Sequence, residues 1–132
     1  MPSPQSQIKK KMKTHKDLEV WKKSIELVTE IYQITKDFPK EEIYGLTSQI
    51  KRSAVSVPSN IAEGAARQSN KEYIQFLYIA LGSLMELDTQ LVIAKNINFV
   101  DEEMLSNIDD KIETIGKMLN GLITYRKSKF RN

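Results

Sequence analysis

The chain has 132 residues, no cysteine, a single histidine (His15), and twenty bases against seventeen acids, for a formal net charge of +3. That length is one domain with a core large enough to fold without disulfides or a structural metal. The missing cysteines exclude thiol nucleophiles and cysteine-ligated metal sites, and one histidine excludes multi-histidine metal and haem centres.

The charge is unevenly placed. Lys9, Lys10, Lys11, Lys13 and Lys16 precede Asp17 with no acid among them; Arg126, Lys127, Lys129 and Arg131 follow Tyr125, again without an acid. Residues 17–125 hold eleven bases against seventeen acids, a net of −6. The basic character therefore belongs to the ends. Residues 1–16, with Pro2, Pro4 and several Ser and Gln ahead of the lysine run, read as a disordered basic tail. Residues 126–132 read as a second basic tail, and 17–125 as the folded domain. The lysines lead into Lys-Asp-Leu-Glu instead of an apolar stretch, so no signal peptide is read. No run reaches the roughly eighteen apolar residues of a membrane span. The expectation is a cytoplasmic protein with no membrane partner, and Met12 is a second candidate start.

From Asp17 to Phe38 two apolar stripes recur at helical spacing: Leu18, Trp21, Ile25, Val28 and Tyr32, and beside them Val20, Leu27, Ile31, Ile34 and Phe38. Pro39 stops this helix. A second pattern starts near Tyr44-Gly45 and steps through Ile43, Leu46, Ile50, Ala54, Val57, Ile61 and Ala65. Pro58 lies inside it, which predicts either one helix kinked near Ala54–Pro58 or two shorter helices; the continuous period favours the kink. Ser69 followed by Glu72 has capping-box spacing and predicts a third helix from about Asn70 to Asn96. Its apolar residues nearly encircle it, with Tyr73, Leu77, Ala80, Leu84, Leu87 and Leu91 on one side and Ile74, Tyr78, Leu81, Met85 and Val92 on another. That excess points to a subunit interface. After a turn at Asn96-Ile97-Asn98, Asp101 is the expected N-cap of a fourth helix. Leu105, Ile108, Ile112, Ile115, Leu119 and Leu122 form its heptad seam, and it should end near Tyr125. The fold class is all-α: an antiparallel four-helix bundle, its second helix kinked at a proline, with disordered basic termini.

Leu18-Glu19-Val20-Trp21, Phe38-Pro39-Lys40-Glu41-Glu42, Tyr44-Gly45-Leu46-Thr47-Ser48-Gln49, Pro58-Ser59-Asn60-Ile61-Ala62-Glu63-Gly64 and the run from Tyr78 to Leu87 occur in that order. Together they resemble the bacterial four-helix bundle family of proteins encoded in intervening sequences of 23S rRNA genes, over about Asp17 to Tyr125. The resemblance implies a homopentameric ring. The related accessory protein of diversity-generating retroelements forms such a ring and binds nucleic acid and a reverse transcriptase.

Chemistry is sparse. A carboxylate-bridged di-metal site could draw on Glu63, Glu72, Glu86 and Glu113, but such sites want Glu-x-x-His pairs and His15 stands alone in the tail. Ser53, Ser56 and Ser59 have no histidine base, and the five glycines are isolated. No catalytic residue, metal or cofactor is read. Asn60, Glu63, Gly64 and Arg67 form the one special segment of the body. Either they allow close helix packing, with Asn60 or Glu63 satisfying carbonyls freed by Pro58, or they face a partner. Trp21, Tyr32, Tyr73, Phe76 and Tyr78 are expected as core or interface anchors, and Tyr125 and Phe130 as better candidates for stacking a base. The nine tail bases (Lys9, Lys10, Lys11, Lys13, Lys16, Arg126, Lys127, Lys129 and Arg131) are the candidate nucleic-acid contacts. The functional expectation is a non-enzymatic, homo-oligomeric scaffold associated with RNA or DNA, with a protein adaptor as the alternative.

Overall fold

The computed structural model describes residues 14–130. Thr14 opens it as a cap: its hydroxyl accepts from the Lys16 amide (3.2 Å) and its amide donates to Asp17 Oδ2 (2.9 Å). This folds His15–Asp17 into a 3-10 turn, and the imidazole edge meets Trp21 at a centroid distance of 5.1 Å. Residues 14–16, expected in the tail, are therefore a capped turn against the bundle; residues 1–13, with Lys9, Lys10, Lys11 and Lys13, lie outside the described residues.

Helix α1 spans Glu19–Thr35. Of its two stripes, Val20, Leu27 and Ile31 are buried together with Phe38 beyond the helix, while Ile25 and Tyr32 on the other remain exposed. Its buried hydroxyls answer to the helix itself, Ser24 to the Trp21 carbonyl (2.7 Å) and Thr35 to that of Ile31 (2.8 Å).

Helix α2, Leu46–Ala65, starts after a 3-10 turn at Lys40–Glu42, where Glu42 Oε1 accepts from the Leu46 amide (3.0 Å). Ile43 and Tyr44 stay outside the helix and exposed. The helix runs unbroken through Pro58, which is buried. Proline cannot donate to the Ala54 carbonyl. Asn60 Nδ2 instead donates to the carbonyl and hydroxyl of Ser56, both at 2.8 Å, so its amide serves a neighbouring carbonyl and not the one freed.

Helix α3, Asn70–Asn96, is capped by Ser69, whose hydroxyl accepts from the Glu72 amide (3.2 Å) and donates to Glu72 Oε1 (3.1 Å). By length and composition alone α3 could cross a membrane. Here Leu77, Ala80, Leu84, Leu87 and Leu91, all fully buried, make it the spine of the core. Asn98 then takes a left-handed conformation (φ 66°) that turns the chain, and Phe99 packs on Phe38 at 5.3 Å.

Helix α4 spans Glu102–Phe130, with Asp101 Oδ1 accepting from the Met104 amide (2.8 Å). Its buried seam is Leu105, Ile108, Ile112, Ile115, Leu119 and Ile123. Ile123 replaces the expected Leu122 because a straight helix advances 3.6 residues per turn and drifts off a strict heptad. The larger correction is the helix end: α4 does not stop near Tyr125 but continues to Phe130, so residues 126–130 are helix and not tail. Arg131 lies outside the described residues.

The topology is up-down-up-down. Lys51 over Tyr32 links α1 to α2, Ser53 to Glu86 links α2 to α3, and the Lys95–Glu102 ion pair links α3 to α4. Glu30, bonded to Asn107 and Lys111, closes α4 back on α1. The tightest approach lies between α2 and α3: a Cβ at Gly64 would stand 2.8 Å from Phe76 Cβ and 3.2 Å from the Tyr73 carbonyl oxygen. Gly64→Ala should therefore destabilise the protein by ~1–2 kcal/mol despite alanine's better helix propensity. Denaturant unfolding would show a lower midpoint with an unchanged slope.

Candidate functional site

Four antiparallel helices bring the start of α1, the α2–α3 corner and the end of α4 to one end of the bundle. Residues 14–24, 60–75 and 119–130 meet there with eight Lys and Arg against four acids. Residues 30–46 and 92–110 meet at the opposite end, with three bases against nine acids. The folded body is thus not uniformly acidic, as its net charge suggested. It is polarised along its axis, basic where the chain enters and leaves.

At the basic end the expected contact residues divide. Arg126 is half-buried: its guanidinium lies 4.5 Å from the Tyr73 ring centroid, and Nη1 donates to Asn70 Oδ1 at 3.2 Å. Burial raises the Tyr73 phenol above its ordinary pKa, and the charge and hydrogen bond of Arg126 work against that rise. Arg126 thus ties the end of α4 to α3 and is largely spent on packing. Lys127 Nζ donates to the Tyr78 hydroxyl (2.7 Å), and Lys129 sits 5.3 Å from the Tyr125 ring centroid. Lys16, Lys127 and Lys129 are exposed on the turn and the last helical turns.

Asn60, Glu63, Gly64 and Arg67 lie on the last turns of α2, at the same end. Asn60 is engaged with Ser56, and Gly64 is buried against Tyr73 and Phe76 of the same chain. Glu63 pairs with Arg67 (3.1 Å), whose guanidinium covers Phe76 at 4.7 Å. The geometry of this segment is that of an internal helix contact, with only Glu63 and Arg67 reaching the surface. The other carboxylates weighed as metal ligands are dispersed: Glu72 with Ser69, Glu86 with Ser53, and Glu113 with Lys117. Among the described residues no three possible ligands form a metal-binding group.

A second feature is apolar. Tyr78, Ile79, Met85, Val92 and Ile93 stand exposed along the outward face of α3, with Gly82 between them. Such a row exceeds the scattered apolar exposure normal for a monomer.

The sequence model of the 23S rRNA-intervening sequence proteins matches residues 16–121. The chain belongs to that family. No curated protein matches it. Among solved structures, a protein of unknown function from the S23 ribosomal protein family of Bacteroides thetaiotaomicron is similar. It is 28% identical, with a TM-score of 0.74, covering 79% of this chain and 97% of its own. The family fold is thus shared by both chains.

The acidic end contains a group that residue-by-residue reading passed over. Asp109 on α4 is held above the usual carboxylate pKa, first by burial, then by the charge and hydrogen bond of Asp88, with Asp110 and Glu102 adding to it. One of its oxygens has no partner. The signal needed was the α3–α4 pairing, which sets Asp88 beside Asp109. A raised folded-state pKa means that the neutral form is favoured by folding. Stability is then highest below about pH 4 for this group and falls as pH rises through the raised value. Asp109→Asn should melt at a higher temperature than the parent at pH 7, with the gap closing as pH approaches 4. Thermal melts across that range measure it.

Proposed function

We propose that this protein is a non-enzymatic, homo-oligomeric scaffold that holds nucleic acid at the basic end of its bundle. The observation that carries the reading is the convergence of charge among the described residues: Lys16, ahead of the first helix, and Lys127 and Lys129, on the last turns of α4, lie with Arg67 and Lys71 at one end of the fold. Phosphate oxygens are met there by exposed ammonium groups, chiefly Lys16, Lys127 and Lys129, and not by a groove-reading helix. The attraction is therefore electrostatic with little base preference.

Assembly supplies the affinity that one protomer lacks. The exposed face of α3, from Tyr78 to Ile93, is the surface proposed to pack against a second copy, and the family resemblance favours five copies. Several weak cationic ends on one ring act together through high effective concentration. The adaptor reading draws on the opposite end, where nine acids against three bases suit a basic protein partner.

Two measurements test the proposal. Light scattering at micromolar concentration should give a mass near five times 15.2 kDa, and Met85→Glu should lower it. A clean monomer in the parent would remove the multivalent mechanism. In gel shifts on single-stranded and duplex RNA, apparent affinity should fall by about 0.7–0.9 log units per log unit of salt for each phosphate neutralised. Replacing Lys16, Lys127 and Lys129 together by alanine should weaken binding and flatten that slope while leaving helicity intact. If neither form binds RNA or DNA, the adaptor reading takes its place.

A further inference from the structure

Apart from Tyr125, the large apolar side chains exposed on the described residues fall into two groups. One is the row on α3 from Tyr78 to Ile93, continued by Ile97. The other lies across α1 and α2 and comprises Ile25, Tyr32, Ile43, Tyr44 and Val55. Two adjoining grooves of about 470 and 460 Å³ run through this second group and share Tyr32 and Val55. The first group is thus a convex helix face and the second is concave. Apolar side chains exposed singly are normal on a monomer, whereas two concentrated patches mark surfaces that become covered.

The two patches face different directions. Helices α1 and α3 are diagonal in the bundle, each packed on α2 and α4 and not on one another. The patches nevertheless stand at the same height. Across α2 and α3, Ser53 meets Glu86 and Ser56 meets Ser83, at 2.7 and 2.8 Å, which sets Val55 of the groove level with Met85 of the row. From there both patches run toward the acidic end, one to Tyr44 and the other to Ile97. Their charges are opposed as well. Lys36, Lys51 and Arg52 line the grooves, with no acid among the lining residues. Between Glu72 and Ala94, α3 holds three acids (Glu72, Glu86 and Asp88) and no base.

An isologous dimer presents the same patch from both subunits, so it would cover one group and leave the other in water. A heterologous contact uses both groups on every protomer, and a rotation that closes leaves neither exposed. We infer, on the basis of the homo-oligomeric reading above, that the α1–α2 groove is the socket for the α3 row of a second copy of this chain. The copies then associate head-to-tail. Because Val55 and Met85 are level, rotation about an axis parallel to the bundle brings one onto the other without sliding. The same rotation sets Arg52 of one protomer at the height of Glu86 on its neighbour, a cation facing a carboxylate at the rim of the contact.

Two variants that each block one surface test this. Val55→Glu puts a charge in the groove and Met85→Glu puts one on the row. Both positions are exposed, so helicity by circular dichroism should match the parent. Alone, each variant should fall from the assembled mass to the 15.2 kDa protomer in light scattering. Mixed in equal amounts over a concentration series, the two should reach twice that mass and nothing larger, since one keeps its groove and the other its row. The chain has no cysteine, so Val55→Cys and Met85→Cys combined in one chain give a second readout. A short bismaleimide should link this double variant into a ladder of covalent oligomers and leave both single variants unlinked. Either the doubled mass or the ladder supports the inference, and absence of both overturns it. Linking of Met85→Cys to itself, or an unchanged mass in Val55→Glu, also overturns it while the homo-oligomer stands, and gives the groove to a different partner. A monomeric parent overturns the homo-oligomer and the socket together.

Discussion

The backbone of α2 passes so close to α3 at Gly64 that no side chain fits between them, and much else follows from that contact. It seats Tyr73 and Phe76 against α2, and Tyr73 in turn presents its ring to Arg126 on α4. Further along the same pair, Ser56 meets Ser83 at 2.8 Å and Ser53 meets Glu86 at 2.7 Å, so small and polar residues continue the close approach. Larger side chains here would part the two helices and open the core that Leu77, Leu84 and Leu91 fill. The tether that fixes the end of α4 therefore depends on a glycine on a different helix.

Much of the fold was legible because helices announce themselves by local rules. Ser69 and Asp101 cap the helices they were expected to cap, since capping uses residues within one turn. The extra length of α4 was hidden because it depends on distant partners: Arg126 and Lys127 are held in helix by Asn70, Tyr73 and Tyr78, some fifty residues earlier in the chain. A basic run followed by the chain end looks the same with or without that support. The candidate site was hidden in a similar way. Summing charge along the sequence makes the body acidic, whereas folding the four helices alternately up and down sorts the same charges to opposite ends.

The axial charge separation and the apolar face of α3 constrain one another. The apolar row runs along the side of the bundle, so packing through it sets protomers side by side with their axes roughly aligned. A ring built that way would collect the basic ends on one rim and the acidic ends on the other. Like charges then crowd on each rim, a cost that apolar burial along the sides must exceed and that added salt relieves.

Because the helices are even in number and strictly alternate, the chain enters at Thr14 and leaves after Phe130 on the same side of the molecule. Whatever extends the polypeptide in either direction is delivered to that side, while the turns at Lys40–Glu42 and Asn98 face away from it. The fold therefore works as a U-shaped mount, with both attachment points at one pole and the other pole free. A label or fusion joined directly ahead of Thr14 or after Phe130 would crowd the basic surface, whereas one inserted in the Asn98 turn would leave it clear. The same parity makes a short link between the two ends geometrically natural, so the helix order could be permuted without reversing any helix.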